Sequence, residues 1–166
     1  VPIVCAGDTT ALSCITGGGT WSSINPAVAV VGSTSGVVTG IATGATIISY
    51  TLPTGCATTY AFSVNVSPVA IVGSSAICLS TTTPFSDATP GGYWTSSATT
   101  VADVVASTGV VTGLALGTAT ITYTLSSSGC YVTKAVTVSS GPTAIMGART
   151  ACAGNNATLF NSVGGG

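Results

Sequence analysis

The sequence predicts an all-β protein made of two tandem β-sandwiches followed by the start of a third. Three observations carry this reading. The chain restates itself at an interval of 73 to 74 residues, so the same unit occurs more than once. Its apolar residues fall in short β-branched or aromatic runs bounded by Gly, Pro, Ser or Asn. No stretch combines helical periodicity with helix caps.

The units follow in order. The first, residues 1–67, opens with VCAGDTTALS (4–13), continues through WSSINPAVAVV (21–31) and GVVTGIATGATIISYTL (36–52), and ends after Cys56 on the linker SVNVSP (63–68). The second, residues 68–141, opens with PVAIVG (68–73). It restates Cys5 as Cys78, Trp21 as Trp94, and Gly36, Gly40 and Gly44 as Gly109, Gly113 and Gly117. Tyr50 returns as Tyr123 within GVVTGLALGTATITYTL (109–125). One inserted loop residue then moves Cys56 to Cys130. In ATITYTL (119–125), Ile121, Tyr123 and Leu125 alternate with Thr, the period of a half-buried strand. YVTKAVTV (131–138) is the last run before the linker TVSSGP (137–142). Residues 142–166 begin a third unit, in which ACAGNNATLF (151–160) restates VCAGDTTALS. About seven short strands per unit fit a compact sandwich.

Composition excludes several function classes. Only Asp8, Asp87, Asp103, Lys134 and Arg149 carry charge among 166 residues, and the formal net charge is −1. No basic patch exists for nucleic acid or an anionic membrane. Mean hydropathy is +0.71, yet Thr, Ser and Gly interrupt every apolar stretch before it reaches the roughly 18 residues of a membrane-spanning helix. With aromatics at 6%, no girdles of a membrane barrel are visible. The absence of His removes Ser-His and Cys-His dyads, and three Asp with no Glu leave little for paired-carboxylate chemistry, so the chain is read as a non-enzyme. No cofactor is expected. No metal is expected either, since one acid in the first unit and two in the second are too few for a strong calcium site. Gly36, Gly40 and Gly44 match a helix-dimer spacing but lie in a β-rich segment and are read as turn and bulge glycines. Lys134 has Tyr60 as its counterpart and is read as an exposed strand lysine.

The six cysteines form no CxxC pair, which argues against zinc and for disulfides in an oxidising compartment, hence a secreted or cell-surface protein. Because both members recur together, the first expectation is one bridge per unit, Cys5–Cys56 and Cys78–Cys130. A loop of about 50 residues closed in this way would add roughly 4 kcal/mol. The competing pairing joins neighbours across the junction, Cys5 with Cys130. It stays open because a cysteine after the first strand and one before the last lie at opposite ends of a simple sandwich. Cys14 aligns with Asp87 and stands outside the pattern, and Cys152 has no repeat partner in this sequence.

WSSINPAVAVV followed by GVVTGIATGATIISYT resembles the bacterial Ig-like group 2 domain, whose signature is a Trp-Ser-Ser stretch, a Gly-Val-Val-Thr-Gly turn and a Gly-Thr-Ala-Thr-Ile strand. The added VCAG and Gly-Cys cysteines resemble the variant found in very large repetitive secreted proteins of Bacteroidota. The second unit departs from the first, with WTSSATTVADVV lacking its Asn-Pro. The resemblance implies tandem immunoglobulin-like β-sandwich repeats in an extracellular filament, stalk or adhesin. It places Trp21 and Trp94 where strand C supplies a core tryptophan. Asp8-Thr9-Thr10 resembles a Bacteroidota O-glycosylation motif, which makes Thr9 a candidate site. Asn65 and Asn156 head formal N-glycosylation sequons.

Two functions fit these features. The first is a structural module that associates head to tail with its own kind or with neighbouring repeats. The second is a carbohydrate-binding module, which would need exposed aromatics on one face, with Tyr93 and Trp94 as first candidates. A specific assembly expectation accompanies the structural reading. Val1 aligns with Ser74, so the first unit lacks a counterpart of PVAIVG (68–73), while the tail carries PTAIMG (142–147). Two explanations stand side by side: the tail completes the first sandwich of another copy by strand donation and so builds a filament, or the chain is a stretch of a longer polypeptide with the next repeat simply not present.

Overall fold

The computed structural model describes residues 3–142, 146–147, 153, 156 and 158–160. All regular structure among them is β. The first sandwich uses β1 (Ile3–Cys5), β2 (Thr9–Ala11), β3 (Thr20–Ser23), β4 (Ala29–Val31), β5 (Val37–Gly40), β6 (Gly44–Thr51) and β7 (Ala57–Asn65). One sheet has the order β1-β7-β6-β3 and the other β2-β5-β4. The second sandwich repeats this with β8 (Ala76–Cys78), β9 (Thr82–Pro84), β10 (Gly92–Ser96), β11 (Ala102–Val104), β12 (Val110–Gly113), β13 (Gly117–Leu125) and β14 (Tyr131–Ser139). Its sheets run β10-β13-β14-β8 and β11-β12-β9. The chain is thus a tandem pair of immunoglobulin-like β-sandwiches. In the tail, β15 (Met146–Gly147) pairs antiparallel with β16 (Leu159–Phe160).

Registers match between the two sandwiches. Trp21 lies opposite Tyr50 in β3–β6, and Trp94 opposite Tyr123 in β10–β13. The first strand of each sandwich pairs parallel with its last, Cys5 opposite Asn65 and Cys78 opposite Ser139. Alternation along the long strands sets the core: in β13, Ala119, Ile121, Tyr123 and Leu125 are buried between half-buried threonines. The first core gathers Val4, Ala29, Val38, Ile48, Phe62 and Val64. The second is larger and adds Ile71, Phe85, Trp94 and Cys130.

The recurring glycines have physical causes. Gly36 and Gly109 adopt φ of +67° and +73°, and each lies against the edge of its own sandwich's tryptophan, so a Cβ there would meet the Trp21 or Trp94 ring. A tyrosine ties the opening of each β3-type strand. Tyr50 Oη donates to Thr16 O (2.8 Å) and accepts from Gly19 N (2.8 Å). Tyr123 Oη donates to Thr89 O (2.7 Å) and accepts from Gly92 N (2.9 Å). Gly19 and Gly92 leave room for those rings.

Candidate functional site: a bridged junction and an open cleft

Cys5 is bonded to Cys130, with Cα atoms 5.8 Å apart. The bridge therefore crosses from the first sandwich to the second. This corrects the expectation of one bridge per unit: Cys5–Cys56 and Cys78–Cys130 do not form, and Cys56 and Cys78 are free and exposed. The reason is the parallel first strand. Cys5 sits at the Asn65 end of β7, whereas Cys56 precedes the other end of the same nine-residue strand. That separation is about 30 Å, far beyond the roughly 7 Å that a disulfide spans. The same holds for Cys78, opposite Ser139, and Cys130, which precedes Tyr131.

The junction is packed as well as bridged. Cys130 is fully buried, Cys5 packs against the second core, and Pro68 is buried between the two sandwiches in sequence. Ala6 N donates to Asn65 O (2.9 Å), and Ser67 Oγ donates to Ala6 O (2.6 Å), which fixes the linker to the end of the first sandwich.

The two tryptophans differ in surroundings. Trp94 is buried at 5% exposure, edge-on to Phe85 with ring centroids 6.5 Å apart. Trp21 is half-buried and packs at the margin of the first core. In the second sandwich the segment before β8 packs beside Trp94. Ile71 fills the second core, Val72 exchanges two backbone hydrogen bonds with Ser86, and Lys134 Nζ donates to Ile71 O (3.2 Å). Lys134 is thus a half-buried side chain anchoring this segment, a correction to its reading as an exposed lysine. In the first sandwich the counterparts of Phe85, Ser86, Ile121, Thr133 and Lys134 are Leu12, Ser13, Ile48, Thr59 and Tyr60. These line an open cleft of about 360 Å³ beside Trp21. A smaller groove of about 190 Å³ follows it, lined by Cys14, Tyr50, Leu52 and Cys56. Of the tail segment 142–147, Met146 pairs with Phe160 in the register that joins Val72 to Ser86.

The remaining candidates are scattered. Thr9 is exposed on β2, Asn65 is half-buried at the junction, and Asn156 is exposed in the tail. Cys152 lies outside the described residues. Asp8 is exposed at the turn after β1, Asp103 is exposed on β11, and Asp87 Oδ1 accepts from Thr89 N (2.7 Å). Among the described residues, no three His, Cys, Asp or Glu side chains gather as metal ligands, and no helix is long and apolar enough to cross a membrane. Tyr93 and Tyr131 are exposed, and both lie in register with Thr124 on the outer face of one sheet. The sequence singled out Tyr93 but not Tyr131. It also did not reveal the hydroxyl bonds of Tyr50 and Tyr123, although their recurrence was the available signal.

Residues 56–136 match the family model described as bacterial Ig-like domain (group 2). The match opens at Cys56, before the last strand of the first sandwich, and closes within β14. No curated protein sequence matches the chain. Among solved structures, the chain is similar to domains 1–6 of surface layer protein SbsC, with 24% identity over 79% of this chain and 21% of that one, at a TM-score of 0.32. It is similar to the C-terminal 282-residue fragment of intimin, solved in complex with the intimin-binding domain of the translocated intimin receptor. There identity is 15% over 72% of this chain and 50% of that one, with a TM-score of 0.41. Similarity to Drosophila N-cadherin EC1-3 is 11% over 84% and 63%, with a TM-score of 0.37. The chain spans about a fifth of the SbsC fragment it matches.

Proposed function

We propose that both sandwiches are bacterial Ig-like group 2 repeats, bounded at 1–67 and 68–141 with a further repeat beginning at 142, and that they form a structural module of an extracellular filament, stalk or adhesin. The observation that carries this is the Cys5–Cys130 bridge, because it joins consecutive sandwiches instead of stabilising each one. A cross-link across a junction limits bending and separation of neighbours, which is what an extended array under load requires. A disulfide also persists in an oxidising, extracellular setting. The sparse charge, with no His, gives the surface little chemistry beyond packing and hydrogen bonding. The large repetitive secreted proteins of Bacteroidota are the context in which such cysteine-bearing repeats fit.

Association proceeds head to tail by strand donation. The cleft beside Trp21 has the place that Ile71 fills in the second sandwich, and Ile145 of the tail is the residue that aligns with Ile71. Donation exchanges the Met146–Phe160 pairing for one with the Ser13 edge of another copy, so the backbone hydrogen bonds are conserved and apolar burial is gained. Because the donating and accepting surfaces differ, repetition gives an open polymer. The test is electron microscopy of the full chain against a chain lacking residues 142–166. Filaments from the full chain alone support donation, and equal assembly by both removes it.

A second reading has one specific observation in its favour. Tyr93 and Tyr131 stand two strands apart on one outer face, about 10 Å from each other, a spacing that suits stacking against sugar rings. Trp94, buried beneath, takes no part. Affinity electrophoresis in polysaccharide gels reads this directly: retardation lost in the double variant Y93A/Y131A supports it, and unretarded wild-type chain excludes it for the polysaccharides used.

A further inference from the structure

Among the described residues, Cys56 and Cys78 are exposed thiols at positions whose counterparts are already bonded to each other. Cys78 closes β8 as Cys5 closes β1. The carbonyl of Cys5 accepts from Asp8 N (3.0 Å) and that of Cys78 from Thr81 N (3.1 Å). Gly40 and Gly113 lie against those two carbonyls in turn. Cys56 occupies the turn before β7 as Cys130 occupies the turn before β14. Each cysteine carbonyl accepts a 2.8 Å hydrogen bond from the leucine that precedes its turn, Leu52 or Leu125. The backbone at both thiols is therefore already in the form that the bonded pair uses.

The two thiols also lie at opposite ends of the pair of sandwiches. The junction lies at the Asn65 end of β7 and the Cys130 end of β14. Cys56 is at the opposite end of β7, and Cys78 lies beside Ser139 at the opposite end of β14. Each strand is about 30 Å long, so the thiols mark the two outer ends of the two-sandwich unit and cannot meet within one molecule.

We infer that Cys78 of one copy forms a disulfide with Cys56 of a second copy, in the geometry by which Cys5 joins Cys130. The second sandwich of one molecule thereby stands to the first sandwich of the next as the two sandwiches stand within a molecule. This rests on the head-to-tail association proposed above and adds a covalent staple at each contact. The electrons need an acceptor, which is a disulfide of the glutathione or oxidoreductase class. The two thiols lose two protons and two electrons as the new S–S bond forms, and the acceptor disulfide is reduced to two thiols. Cys14 lines the same groove as Cys56 and is the competing partner.

The experiment uses the full chain carrying C14S and C152S, with C56S or C78S added, and oxidised glutathione as the oxidant. Neither added variant alone should give a disulfide-linked species. Their mixture should give a dimer and nothing larger on a non-reducing gel, with Cys78 linked to Cys56 by mass spectrometry, while the C14S/C152S parent gives a ladder. A dimer from either variant alone overturns the pairing. So does a mixture that yields no dimer although light scattering shows assembly under reducing conditions. A mixture that yields neither dimer nor assembly overturns the head-to-tail reading together with the staple. Mapping of an intact Cys5–Cys130 bridge in each variant shows that the fold has been kept.

Discussion

Gly109 and Gly129 share a φ of +73°, but only Gly109 is crowded, since a Cβ there would come within 2.5 Å of Phe85 O and 2.8 Å of the Trp94 ring. Gly129→Ala should therefore cost only the left-handed backbone term, about 1–2 kcal/mol, and Gly109→Ala clearly more, on denaturant unfolding of the second sandwich. Equal losses would remove the packing role given to the recurring glycine. Tyr123→Phe leaves Gly92 N and Thr89 O without their partner and should destabilise by about 1–3 kcal/mol, while the ring still packs on Trp94 with centroids 4.7 Å apart. An unchanged melting temperature would contradict this. At this scale the sequence shows which residues recur and not why. The return of Trp, Gly and Tyr at a fixed interval was plain. That glycine recurs because it lies on the tryptophan edge, and tyrosine because its hydroxyl closes a loop, depends on contacts between distant segments.

The segment 68–73 contributes Ile71 to the core of the second sandwich. Ile71 is 6% exposed and touches the Phe85–Trp94 cluster, so Ile71→Ala should cost about 2–4 kcal/mol in the second sandwich. Leu12→Ala, at the rim of the open cleft, should cost less, because Leu12 already faces a space of about 360 Å³. Chemical denaturation with the tryptophans as separate reporters checks both, and a larger loss at Leu12 would mean that the cleft is closed in solution. Strand positions were legible in part: period-two alternation marks β13 directly and a β-branched run marks β14, whereas 63–68 and 137–142, read as linkers, supply the last residues of β7 and β14, with Val64 and Val138 in the cores. Where the ends of strands meet was not legible. The parallel pairing of β1 with β7 leaves no local trace, yet it carries Cys5 to the Asn65 end and decides the disulfide pairing.

For the whole molecule, a bridge between positions 5 and 130 encloses nearly all of both sandwiches. Tension applied beyond these two residues passes through the disulfide and bypasses the enclosed chain, so an array built this way would resist extension even if a sandwich unfolds. The tandem architecture was readable from the repeat, and the extracellular setting is what the cysteines suggest. The choice between bridges within and across units needed the three-dimensional ends of the strands. Single-molecule pulling on the full chain from handles at its two termini tests this most directly. Reduction should make about 440 Å of further extension available in total as the enclosed sandwiches come under load and unfold, from the sequence separation of 125 between Cys5 and Cys130 at roughly 3.5 Å per residue. A total gain of only about 360 Å, as two bridges within the units would give, or no gain on reduction, would contradict a bridge across the junction.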